Sequence, residues 1–310
     1  MKAKFAIMAA LASALSLCAT QKVHAQAPVY EGFNYASGQN ITSVTSTATG
    51  LGNWTSSTAG IVGMTDSTSL SFGPLITGSG SLDISLPTNA NSWQFLAAPI
   101  TNPIANGATL WGSYLFQDTN PGSANGGTDA PDNFGVSVGN STGEDAGGAG
   151  HQMALLAESY DQDNLGRIGY TDGIYTAFNT GNIYDGNIYL FIGEWTNLGG
   201  NTSTATGWVL NLADFEAVVA SGSFTPAELN ANNMGTGTYS GGTSGSFSTA
   251  QYVKIGDFMG SNVPYRVGDI RFASDLPDVI PIPEPSAVAL LVLSGPGVCF
   301  FLRKRKDDNC

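Results

Sequence analysis

Histidine and cysteine are scarce in this chain of 310 residues: there are two of the first and three of the second. Cys18, Cys299 and Cys310 all fall outside residues 27–280. That middle stretch has no disulfide and no thiolate ligand, so its apolar core alone holds it. A length of about 250 residues buries enough surface for that. Ser-His-Asp catalysis needs a histidine, and outside the N-terminal segment that holds His24 only His151 is left. It follows Ala149-Gly150, just before a predicted strand, and reads as an exposed turn residue. A zinc site would need several His or Cys ligands, which the middle stretch lacks.

Charge is scarce too, at 11% of residues against about 25% in an average globular chain. Residues 27–280 hold four basic side chains, Arg167, Lys254, Arg266 and Arg271, against 21 acidic ones, a net charge of −17. Nucleic acid phosphates would be repelled, which excludes DNA or RNA as a partner. Anionic polysaccharide is disfavoured for the same reason unless a divalent cation bridges the two.

Glycine is abundant, with 40 residues or about 13%, nearly twice the usual share of about 7%. With Ser, Thr and Asn it argues against a helical bundle and for short strands joined by tight turns. Ser81-Leu82-Asp83-Ile84-Ser85-Leu86 alternates strictly, as a half-buried strand does. Residues 110–116, 133–138, 153–157, 188–195, 208–212, 252–259 and 265–272 give further strand signals, about a dozen in all. Residues 212–219 have helical spacing, and Thr225-Pro226-Ala227-Glu228 has the form of a capping box with Pro at the first helical position. Residues 118–132 and 235–250 read as exposed loops. The expected fold is all-β, an antiparallel two-sheet sandwich of jelly-roll type with one or two short helices.

The two ends read as targeting segments. Lys2 and Lys4 precede an uncharged apolar run from Phe5 to Ala19, and Val23-His24-Ala25 offers a cleavage site between Ala25 and Gln26. At the other end, Pro283-Glu284-Pro285 precedes a mostly apolar stretch from Ala287 to Leu302 and a basic cluster, Arg303, Lys304, Arg305 and Lys306. Sixteen helical residues span about 24 Å, a marginal transmembrane helix, and the basic cluster holds its end on the cytoplasmic side. The chain therefore divides into a signal helix at 1–25, a folded domain at 26–280 and a sorting or anchor segment at 281–310.

This three-part terminus resembles the PEP-CTERM sorting signal of Gram-negative bacteria. The resemblance implies export and recognition of Pro283, Glu284 and Pro285 by an exosortase, with a transient inner-membrane anchor and a destination in the cell envelope or extracellular matrix. The sequence departs from the pattern at Gly295-Pro296-Gly297 and in the four residues after Lys306. The opening Tyr30-Glu31-Gly32-Phe33-Asn34-Tyr35 and the closing residues 267–273 resemble the first and last strands of concanavalin A-like, laminin-G-like jelly rolls. That second resemblance implies that these strands pair and that the domain has a carbohydrate-binding or adhesive ancestry.

Chemistry is hard to find. Jelly-roll glucanases carry Glu-x-Asp-x-Glu on one strand face, and no such triplet occurs here; Glu158, Asp161 and Asp163 have different spacing. Asp161-Gln162-Asp163-Asn164-Leu165-Gly166, with Asp172 at the twelfth position, has the flavour of a calcium loop, and calcium is the one cofactor the sequence points to. Tyr160, Tyr170, Tyr175, Tyr184 and Trp195 are candidates for stacking on sugar faces. No catalytic residue is assigned. The expected role is non-enzymatic and associated with extracellular polysaccharide; a polysaccharide-degrading enzyme on the same fold and a purely structural surface protein are the alternatives.

Overall fold

The computed structural model describes residues 29–56, 61–85, 94–105, 107–121, 133–140, 153–158, 165–170, 174–196, 204–240, 249–258 and 265–282. The predicted signal helix and transmembrane helix lie outside these residues. Gln26–Pro281 form one compact unit.

The strands of the compact unit are β1 (Val29–Glu31), β2 (Thr55–Ser56), β3 (Val62–Asp66), β4 (Ser81–Ser85), β5 (Gln94–Ala105), β6 (Leu110–Asp118), β7 (Asn133–Gly139) and β8 (Met153–Glu158). They continue with β9 (Leu165–Tyr170), β10 (Ile174–Asn179), β11 (Ile188–Thr196), β12 (Thr204–Leu210), β13 (Gly235–Ser240), β14 (Thr249–Phe258) and β15 (Tyr265–Ala273). The helices are α1 (Leu212–Ser221), α2 (Pro226–Ala231) and α3 (Leu276–Val279). The strands form two antiparallel sheets. One has eight strands in the order β13-β12-β11-β6-β15-β4-β3, with β1 added against β15; the other has seven, β10-β9-β8-β7-β14-β5-β2. This is the two-sheet jelly-roll sandwich that the strand signals predict. The first and last strands pair, with Val29 opposite Phe272 and Glu31 opposite Ile270.

Alternation sends one side of each strand into the space between the sheets. Leu110, Tyr114 and Phe116 of β6 meet Phe134, Val136 and Val138 of β7 in one buried cluster. Aromatic rings dominate it. Phe134 stacks on Tyr265 with centroids 4.7 Å apart, and Phe116 touches Phe134, Tyr184, Phe191 and Tyr265. Each such pair adds about 0.5–1.5 kcal/mol beyond the area it buries.

The other side of the eight-stranded sheet is covered as well. Trp111 stacks on Trp208 at 5.8 Å, and Phe72 packs on Phe215 of α1. Val218 and Leu229 of the two longer helices are also buried, and Ser113 Oγ donates to the carbonyl of Val279 in α3. Two buried faces explain the nearly continuous apolar run of residues 188–195.

Two local expectations need correction. Residues 235–240 are not loop but an edge strand, with Val209 opposite Gly235 and Ala205 opposite Tyr239. Its Gly-Thr-Gly-Thr order hides an alternation: Thr236, Thr238 and Ser240 are exposed, while Gly235 is buried and Gly237 half-buried. Glycine is required because β10 crosses close by. A Cβ on Gly235 would lie 2.0 Å from the carbonyl oxygen of Asn179. The capping box is also displaced. Thr225 accepts from the Glu228 N–H, which is half of the motif, whereas the full reciprocal box joins Asn211 and Asp214 at the start of α1.

Candidate functional site

His151, Tyr160, Asp161, Asp163 and Asp172 lie outside the described residues, as do Ala25, Gln26, Pro283, Glu284, Pro285 and the basic cluster at 303–306. The strands around the acidic segment do pair: Glu158 is opposite Leu165, and Tyr170 is opposite Ile174. Among the described residues no group of three or more His, Cys, Asp or Glu could hold a metal ion.

Two of the aromatic candidates belong to the core. Tyr184 and Trp195 are buried, packed against Phe116 and Phe272 respectively. They are not a sugar platform, because the sandwich consumes their faces. Sequence cannot separate a ring in a turn from a ring under a sheet.

The buried charges serve the fold. Glu31 is fully buried; its carboxylate accepts from Phe33 N–H at 2.7 Å, Tyr35 O–H at 2.9 Å and Trp54 Nε1–H at 2.9 Å. Burial still pushes its pKa above the usual carboxylate value, although all three donors pull the other way. Arg271 grips Asp269 through two bonds of 3.0 Å and lies 4.0 Å over the ring of Tyr30. Asp269 stands higher than usual because it is buried, with Arg271 opposing the shift. Arg266 bridges Asp66 and Asp83, linking β15 to β3 and β4. Lys254 is fully buried, its amine 4.8 Å from the Phe95 ring centroid.

An open cleft of about 420 Å³ is left at one end of the eight-stranded sheet. Ser71, Phe72, Gln117, Asn187, Asn211 and Leu212 are among the residues that line it. The fold pins each amide at one end. Gln117 Nε2 donates to the Gly186 carbonyl at 2.9 Å, Asn187 Nδ2 donates to Asp185 Oδ2 at 2.7 Å, and Asn211 Oδ1 accepts from Asp214 N–H at 2.9 Å. Leu212 is 43% exposed at the rim. Among the described residues Tyr189 is the one titratable side chain in the lining. Its hydroxyl donates to the Asn182 carbonyl, and burial, with Asp185 adding, pushes its pKa up to about 12. No sequence motif marks this cleft: its described residues come from four separate stretches.

The chain matches no protein-family model and no curated protein. Similar solved structures include an endo-β-1,4-glucuronan lyase from the fungus Trichoderma reesei, at TM-score 0.46 and 10% identity, covering 81% of this chain and 97% of that one. An alginate lyase from Aplysia kurodai aligns at TM-score 0.43 and 10% identity, covering 69% and 87%. A legume lectin-like domain from Entamoeba histolytica aligns at 0.38 and 12%, covering 66% and 88%.

Proposed function

We propose that this is an exported protein of the cell envelope or extracellular matrix whose sandwich domain associates with polysaccharide without turning it over. In this reading an exosortase recognises Pro283-Glu284-Pro285 and releases the chain from a transient membrane anchor. The observation that carries the binding role is the chemistry of the cleft. Amides, a serine and apolar side chains line it, and among the described residues its one titratable group is a tyrosine held neutral well above pH 7. Such a lining supplies hydrogen bonds and an apolar surface, which is what a saccharide needs for recognition. Its described lining holds no carboxylate or histidine to act with that tyrosine as the acid and base pair that bond cleavage needs. Calcium at the Asp161, Asp163 and Asp172 segment belongs to the same proposal as a second point of attachment.

A glycan array with the full-length chain, run with calcium and with chelator, tests the reading. Binding without release of reducing or unsaturated sugar ends is the expected result. Turnover of any bound polysaccharide would replace it with the enzymatic alternative, and an array with no binding would overturn it.

A further inference from the structure

The cleft at the start of α1 also has a definite hydrogen-bonding character. Each of its three amides spends one end on the protein and leaves the other unused among the described residues. Gln117 uses Nε2 and Asn187 uses Nδ2, so each retains a carbonyl oxygen as acceptor. Asn211 uses Oδ1 as the helix cap and retains its NH₂ as donor. Ser71 is exposed in the lining and makes no hydrogen bond within the described residues. These amides are held in place before any ligand arrives, which lowers the ordering cost of binding.

The charges behind the amides then select the ligand. Asp185 receives both the N–H and the Nδ2–H of Asn187, and Asp214 receives the Asn211 N–H. Two carboxylates therefore stand behind the cleft, and no cation lines it among the described residues. An anionic group entering here would meet like charge and acceptor oxygens. A hydroxyl, which both donates and accepts, would be satisfied by the mixed set. Phe72 and Leu212 add apolar surface for the C–H face of a sugar ring. The Leu212 side chain lies across Gly73, within 2.8 Å of where a Cβ on that glycine would stand, so its position at the rim is supported. A volume of about 420 Å³ falls within the ordinary range of small-molecule sites, about 300–1,000 Å³.

We infer that this cleft is the binding site for an uncharged sugar unit of a neutral polysaccharide, and that it works without calcium. The inference rests on the reading of the domain as a non-catalytic glycan binder and names its site and ligand class. Asp185 and Asp214 each accept from an asparagine N–H, and among the described residues no group of three or more His, Cys, Asp or Glu could hold a cation.

The test is calorimetry of the full-length chain with neutral tetrasaccharides of β-glucan, mannan and galactan type, and with uronate tetrasaccharides for comparison. Asn211→Ser keeps a good helix cap but deletes the free NH₂, and Ser71→Ala deletes one exposed hydroxyl. Each is expected to weaken neutral sugar binding about fivefold or more with the melting temperature held. Leu212→Ala is expected to weaken it as well. Chelator and added salt are expected to leave the affinity unchanged, since no ion pair is involved. If a neutral sugar binds and the three variants bind like the parent, the site is elsewhere while the glycan-binding reading stands. If uronates bind more tightly than neutral sugars, the ligand class is wrong. If no sugar binds, both fall.

Discussion

The indole N–H of Trp54 donates to Glu31 Oε2 at 2.9 Å, inside the sandwich and away from water. The same carboxylate receives the N–H of Phe33, a residue with φ of 51°. A non-glycine residue in that left-handed region carries strain, and Glu31 helps hold it there. Phe33 in turn stacks on Trp54 with centroids 6.4 Å apart. One buried acid thus organises the entry of the chain into the sheet. Glu31→Gln keeps the shape but has one acceptor oxygen where three donors converge. It is expected to cost about 1–3 kcal/mol, read as a shift in urea midpoint at unchanged slope.

Stability is expected to fall as pH rises. Burial raises the folded-state pKa of Glu31, Asp118 and Asp269. A carboxyl whose folded pKa lies above its unfolded value binds its proton more tightly in the folded state. Its contribution is therefore complete below the ordinary carboxylate pKa and is lost as pH climbs through the folded value. Asp66 goes the other way, lowered chiefly by the Thr68 N–H, and is largely exposed to that effect only in strong acid. Thermal melts should give a higher midpoint at pH 5 than at pH 8, and Glu31→Gln should flatten the difference. A midpoint that rises with pH over this window would contradict the assignment.

Arg271→Ala removes the guanidinium from a buried partner. Asp269 is 3% exposed and would keep only the Gly78 N–H and Tyr30 as donors. Breaking a buried pair on one side costs about 3–5 kcal/mol. Arg266→Ala, at a partly exposed pair, is expected to cost about 1 kcal/mol or less. Denaturant titrations of the two variants in parallel distinguish these outcomes.

Gly235→Ala should be far more harmful than Gly38→Ala. The added methyl at position 235 meets the Asn179 carbonyl at 2.0 Å, whereas at position 38 nothing lies within 4 Å and only the φ of 78° opposes it. A backbone oxygen cannot move aside as a flexible side chain can, so β13 must shift away from β10. Proteolysis within residues 235–250 is the sensitive readout, and the Gly235 variant should be cut faster.

The sorting proposal has its own test. Glu284 stands between two prolines in the sequence, and a residue before proline is biased away from helix. Glu284→Ala should leave the full-length protein in the membrane fraction, and N-terminal sequencing of processed parent protein should begin at Gln26. Normal processing of the variant, or a start at Met1, would refute these assignments.

The strand inventory was legible because period-2 alternation is local: Ser81 to Ser85 and Asn133 to Val138 announce one buried face without help from any neighbour. The pairing of the first and last strands was legible only through resemblance, since nothing local in residues 29–31 names residues 270–272 as partner. Strand β13 was hidden because its glycines answer to β10, a strand from the other sheet. The fates of Tyr184 and Trp195 were hidden for the same reason, as a ring's exposure depends on what the fold lays over it. The acidity of residues 27–280, their lack of cysteine and the order of Pro-Glu-Pro, apolar stretch and basic cluster follow from the amino-acid sequence alone, because composition and local order are properties of the chain itself. The cleft does not. Ser71, Gln117, Asn187 and Asn211 are unremarkable where they stand in the sequence. They become a site only when antiparallel pairing and the cap of α1 bring four distant stretches to one edge and spend half of each amide there.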